Sequence, residues 1–356
     1  TIEDRWHDIS NDDIRSSFLT TKFDFYNVLI SLCLKQKDFK SALFFIERLK
    51  TRNLMEFLSE KGLEVSDEEN INLDVSDLLD NNSLLVEIFP MDDKTVLFLL
   101  SKDKDINNTT IVLTDTDRFT FSDDIELVSK AYSEYQDSDG TRKQTKQAEW
   151  ESFLDKLLKK LHEKIFRRIE PYLNGIKKIV FVPHALLHVV PLHAMFYEDE
   201  EKNRKYVIDE YQVTYAPSAR LYISCNKRKA KRKDNIIVAH ADPNKTSNKL
   251  FFAQMEVDNI KAIFSDCHII SNATKNDLIN QTKEAHIFHY AGHAHYEAFI
   301  LHDLDSEDME AEFDVKDIFE YLDMPEAYLA TLSACDTGLT VSGMVDECIE
   351  IGRAHV

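Results

Sequence analysis

Ile287-Phe-His-Tyr-Ala-Gly-His-Ala-His295 and Tyr328-Leu-Ala-Thr-Leu-Ser-Ala-Cys-Asp-Thr-Gly338 decide the reading of this chain. Each is a short apolar run that stops at a turn of small residues, and each follows a polar, helix-like segment. Runs of this kind read as buried parallel strands. One turn carries His293 and the other Cys335. Side by side, two such strands would set an imidazole and a thiol on neighbouring loops at the carboxyl edge of a sheet, where sites form in open α/β folds. A thiol beside an imidazole is the minimum apparatus of cysteine nucleophilic catalysis.

Outward from these runs the rhythm is regular. Strands are expected at Ile236–Ala239, His268–Ile270, Ala285–Tyr290 and Tyr328–Ser333, with helices at Met255–Phe264, Lys275–Lys283 and Val315–Tyr321. Alternating units of this kind imply a parallel sheet covered by helices on both faces. Further upstream, Ile179–Val182 and Val213–Ser218 read as strands, and Trp150 to Tyr172 as a long amphipathic helix. Asp115 to Gln147 is mostly acidic and polar, with modest helical periodicity between Ile125 and Tyr135. Ser83–Phe89 and Thr95–Leu100 form a hairpin, joined by a third strand at Thr109–Leu113. The chain opens on two helices, striped by Phe25, Val28, Leu29, Leu32 and Cys33 and then by Phe39, Ala42, Leu43, Ile46 and Leu49. One such pair cannot bury its own apolar face, so it must stack on further repeats or on the next domain. Small Ala42 suits close helix–helix packing.

The 356 residues leave room for one large domain and a smaller one, and 43% apolar composition is ample for a core. A net charge of −21 argues against nucleic acid or an anionic membrane as a direct partner. No apolar stretch approaches the length of a membrane span. Cys33, Cys225, Cys267, Cys335 and Cys348 form no C-x-x-C pair, and their odd count suits a reducing, intracellular, cytoplasmic setting, the nucleus being the alternative. The basic run Asn226–Lys233 reads as a solvated loop, a processing site or a nuclear import signal. Both ends look cut, and Glu350–Val356, a heptapeptide that a sequencing adapter also encodes, is expected not to be native.

His293 is the candidate base, since a neighbouring imidazole can take the thiol proton. Gly292 permits a tight turn before it. Backbone N–H groups of Ala294 and Cys335 are the candidate oxyanion donors. His295 is a rival base in the same loop. Zinc binding by His289, His293 and His295 is a rival chemistry, because strand residues at spacings of two and four share a face. His188 and His193 read as packing or hydrogen-bonding residues. Asp336 either caps the following helix or selects a basic residue in a substrate.

His289-Tyr-Ala-Gly-His-Ala294 followed by Leu332-Ser-Ala-Cys-Asp-Thr-Gly338 resembles the paired signature of CHAT domains, caspase-like peptidase domains associated with tetratricopeptide repeats. Val182–Leu192, Tyr215-Ala-Pro-Ser218 and Asp242-Pro243 resemble other elements of that family, and the first helix pair resembles its last repeat. The resemblance implies a caspase-like α/β/α sandwich with a mostly parallel sheet, C-terminally truncated here. It assigns residues 1–80 to a tetratricopeptide-like helical region, 81–122 to a β-hairpin connecting region and 123–356 to the CHAT domain. It implies Cys335 as nucleophile, His293 as base and no cofactor. The expected function is a cysteine endopeptidase acting on a protein or peptide and regulated by a protein bound through the repeats. The alternative is a catalytically silent scaffold. Ala294 stands where the family often has Gly.

Overall fold

The computed structural model describes residues 25–60, 79–91, 93–102, 104–114, 121–227, 236–241, 250–295, 298–301 and 311–334. The chain divides after Lys227 into two compact units, which are taken in turn.

The first unit opens with α1 (25–35) and α2 (Phe39–Glu60). Strands β1 (Ser83–Pro90) and β2 (Thr95–Leu100) follow, then a turn of helix, α3 (Ile106–Thr109), and β3 (Ile111–Leu113). Helices α4 (Phe121–Gln136) and α5 (Gly140–Leu161) form an antiparallel pair, and α5 runs on through a π-turn at His162–Phe166 into α6 (Arg167–Ile169). β4 (Lys178–Val182), the small hairpin β5 (Phe196–Glu198) and β6 (Arg204–Tyr206), α7 (Val207–Glu210), β7 (Gln212–Tyr215) and α8 (Ala219–Lys227) complete it. The five-stranded sheet has the order β3-β2-β1-β4-β7. The hairpin is therefore not a mere connection. Its strand β1 pairs with β4 in parallel and occupies the centre of the sheet. The sequence carries the reason: Ser-Leu-Leu-Val-Glu-Ile-Phe is buried at every position, the signature of a strand covered on both faces.

Side-chain alternation sorts β1 into two layers. Leu84, Val86 and Ile88 join Ile125 of α4 and Leu157, Leu158 and Leu161 of α5. Leu85 and Phe89 join Ile30 of α1, Ala42, Leu43 and Ile46 of α2, and Ala219 and Ile223 of α8. Helix α2 thus buries its expected stripe on the sheet, whereas α1 turns Ile30 and Leu34 inward and leaves Phe25, Val28 and Leu32 of the expected stripe exposed. Ala42 is fully buried there, and Ala42→Leu is expected to cost about 1–3 kcal/mol through overpacking, measurable as a lowered urea midpoint. Helix α5 begins ten residues before the amphipathic stripe predicts it. Residues 140–149 are polar because they face water, and Trp150 and Lys146 tie them to α4: Trp150 stacks on Tyr135 at 5.8 Å, and Lys146 pairs with Glu134.

The second unit alternates β8 (Ile236–Ala241), α9 (Phe251–Ile263), β9 (Cys267–Ser271), α10 (Lys275–Gln281) and β10 (Ile287–Gly292). Three short antiparallel strands follow, β11 (Ala294–His295), β12 (Ala298–Leu301) and β13 (Ala311–Asp314), then α11 (Val315–Tyr321) and β14 (Leu329–Ser333). β14, β10, β8 and β9 form a four-stranded sheet, parallel throughout. Val238 and Ile236 face Ala253 and Val257 of α9, whereas Ile237, Phe288 and Tyr290 face Leu278 of α10 and Ile318 of α11. Capping boxes begin both α10 (Thr274 with Asp277) and α11 (Asp314 with Asp317), fixing where these helices start. Lys275 bonds Asp317 at 2.8 Å and links the two. The small sheet β11-β12-β13 was not foreseen. Its signal was the brief Ala-Phe-Ile-Leu run at 298–301, buried throughout, with no partner recognisable before the acidic stretch that follows.

Candidate active site

The strand order places a topological switch at β10. From β8 the chain moves to β9 on one side, then crosses to β10 on the other and continues to β14. The carboxyl ends of β8 and β10 lie together there, with Gly292 paired to Ala241. This is the position at which open α/β sheets form their sites. His293 is the next residue. β14 runs parallel to β10 with Ala291 opposite Ser333, so both strands end at the same edge of the sheet. Cys335 and Asp336 lie outside the described residues, as do Cys348 and Glu350–Val356. The described chain ends at Ala334, one residue short of Cys335.

The His293 backbone is pinned. Its carbonyl accepts a hydrogen bond from the Ile300 N–H at 2.9 Å and lies 2.7 Å from the Tyr290 hydroxyl. The same hydroxyl lies 2.9 Å from the Ile300 carbonyl, so it bridges the two strands where the β11–β12 ladder begins. Tyr290 is fully buried, with its ring 4.3 Å from that of Phe299. Burial pushes its phenol far above the usual tyrosine range, so it serves as a neutral donor. Because His293 and Ile300 share the ladder bond, Ala294 opposite Phe299 is the non-hydrogen-bonded pair, and its N–H points away from β12. Tyr290 was quoted in the sequence motif, but its role was not legible there, since the partner carbonyl of Ile300 lies in a strand that was not recognised. Tyr290→Phe is expected to cost about 1 kcal/mol of stability, because the His293 turn loses a buried donor. Thermal melting checks the effect.

His289 points to the opposite face, towards α9. It is buried, and its Nδ1 shares a 2.6 Å hydrogen bond with the Thr331 hydroxyl of β14. Its Nε2 is 3.2 Å from Glu256 Oε1, close enough for attraction but off the line of a hydrogen bond. Burial holds this imidazole below the usual histidine range, with Glu256 opposing in part, so His289 is neutral near pH 7. His289 is thus engaged within the protein. Among the described residues, no group of three or more His, Cys, Asp or Glu is disposed to hold a metal. The side chain of His295 lies outside the described residues.

The remaining candidates sit elsewhere. His188 is buried in the first unit, and His193 bonds the Tyr215 hydroxyl through Nδ1 at 2.8 Å and through its backbone N–H at 2.8 Å. Cys33 and Cys267 are free thiols whose titration burial pushes up, the reverse of an activated nucleophile. Residues 228–235, most of the basic run, and Asp242-Pro243 lie outside the described residues. No helix among the described residues is long and apolar enough to cross a membrane.

A parallel sheet with α9 on one face and α10 and α11 on the other makes the second unit a three-layered α/β structure. The chain belongs to the CHAT domain family, whose model matches residues 155–356. Its mixed α/β fold, with a parallel sheet in the second unit, is the caspase-like fold of that family. No curated protein matches the chain.

Proposed function

We propose that this chain is a cysteine endopeptidase with Cys335 as nucleophile and His293 as general base. The observation that carries the reading is the parallel β10–β14 pair, whose common end bears His293 and leads directly towards Cys335. In the proposed reaction the Cys335 thiolate attacks a peptide carbonyl. Oxyanion charge falls on the backbone N–H groups of Ala294 and Cys335, and the outward-pointing Ala294 N–H supports that role. The His293 imidazolium then protonates the leaving amine, and water hydrolyses the thioester. A protein bound through tetratricopeptide-like helices would regulate the enzyme in a reducing, cytoplasmic compartment. The fusion of the first helix pair to the sheet supports this route of control.

The test is labelling by a library of peptide acyloxymethyl ketones, with mass mapping of the adduct. An adduct on Cys335 that disappears in His293→Ala is the expected result. Absence of labelling, with or without proteins that bind the helices, would favour a scaffold instead.

A further inference from the structure

Apolar packing beneath α9 covers β8, β9 and β10 but stops before β14. On that face the cluster comprises Ile236, Val238, Ala253, Val257 and Ala291, with Ile269 and Ile287 beside them. Residues Leu329, Thr331 and Ser333 of β14 are exposed on it. Two polar links hold this face of the strand. Thr331 bonds His289 at 2.6 Å, and the Ser333 hydroxyl donates to Glu256 Oε2 at 2.8 Å. The other oxygen of Glu256 faces His289, so one α9 carboxylate meets both strands.

We propose that Glu256 and His289 are positioning residues: they clamp β14 against β10 and α9, and so fix the register from which the chain reaches Cys335. This rests on the peptidase reading for its catalytic meaning, though not for the clamp itself. Register is the vulnerable quantity. A slip of one residue turns every side chain of a strand to the opposite face. In β14 that would carry Ser333 away from Glu256 and rotate the segment leading to Cys335. The contacts on the other face, from Ala330, Leu332 and Ala334, are small or only partly buried and pin this position less sharply. Neutral His289 acts here as a hydrogen-bonding wedge between two strands, held beneath the edge at which His293 works.

Two readouts on the full chain test the clamp. The first is hydrogen exchange of the β14 amides. Glu256→Ala and Ser333→Ala are each expected to speed exchange at Ala330–Ser333 about tenfold while β8 is unchanged, and Glu256→Gln is expected to restore protection, because its amide oxygen still accepts from Ser333. Unchanged β14 exchange in folded Glu256→Ala and Ser333→Ala overturns the clamp. The second is the pH profile of iodoacetamide alkylation at Cys335. In the unaltered chain its midpoint is expected below the ordinary thiol value of about 8.5, and Glu256→Ala should move it towards that value, with Glu256→Gln reversing the move. A variant profile that stays with the unaltered one overturns the positioning role. An ordinary profile in the unaltered chain sinks the peptidase reading instead, and exchange then still decides the clamp.

Discussion

Cys335→Ala is expected to abolish peptide hydrolysis while leaving the fold intact. His293→Ala should lower kcat by about 10²–10⁴, the usual worth of a positioned general base. The thiol substitution should cost at least as much, because no nucleophile remains. The double variant should be little worse than Cys335→Ala alone, since groups that act as one unit do not add. Measuring kcat for all three variants on one optimised peptide provides the check. Additive losses would mean that the two residues serve separate steps, and unaltered hydrolysis in Cys335→Ala would remove the catalytic assignment.

Lys50→Met is expected to destabilise the first unit by about 3–5 kcal/mol, the cost of breaking a buried charged cluster by removing one member. The Lys50 side chain is 1% exposed; its Nζ donates to Glu87 Oε1 at 3.3 Å and to the Pro183 carbonyl at 2.9 Å. Glu87 is the lone ionisable residue in β1 and is wholly buried. Glu47 lies beside it and accepts the backbone N–H groups of Ala219 and Arg220, at 3.0 and 2.7 Å, where α8 begins. Burial first, and then the Glu47 charge, push the Glu87 carboxyl well above its usual range, with Lys50 opposing. Glu87 is thus held protonated at pH values where the unfolded chain, with a carboxyl value of about 4.3, has released that proton. The folded state binds more protons, so this contribution to stability is complete below that value and is lost as pH rises through the folded titration. Glu87→Gln should be close to neutral in stability and should flatten the decline. Trp150 lies in α5 of the first unit, so its fluorescence during urea unfolding reports on that unit.

The sequence made the second unit legible almost strand by strand. The expected helix Val315–Tyr321 matches α11, and the expected strands at 236, 268, 285 and 328 correspond to β8, β9, β10 and β14 within two residues at each end or less. Long apolar runs between capped helices leave few alternatives. The first unit was harder for an opposite reason. β1 and β2 carry a hairpin's local signature, but the partner that makes them central, β4, lies far along the chain, and no local pattern encodes that pairing. The place of His293 just past the end of β10 was legible because glycine and small residues punctuate that strand. Tyr290, Glu256, Thr331 and Ser333 were not, because each acts on a group that only folding brings near.

The helix pair has a consequence for how such proteins can be divided or joined. Leu85, Phe89, Val96, Phe98, Val180 and Val182 would meet water if residues 25–60 were removed. A cut placed between these helices and the sheet would strip most of that layer, leaving α8 as its remaining helix, and expose a sticky, aggregation-prone face. Any helix added upstream would therefore join a pair already welded into the sheet, and that pair travels with the strands it covers.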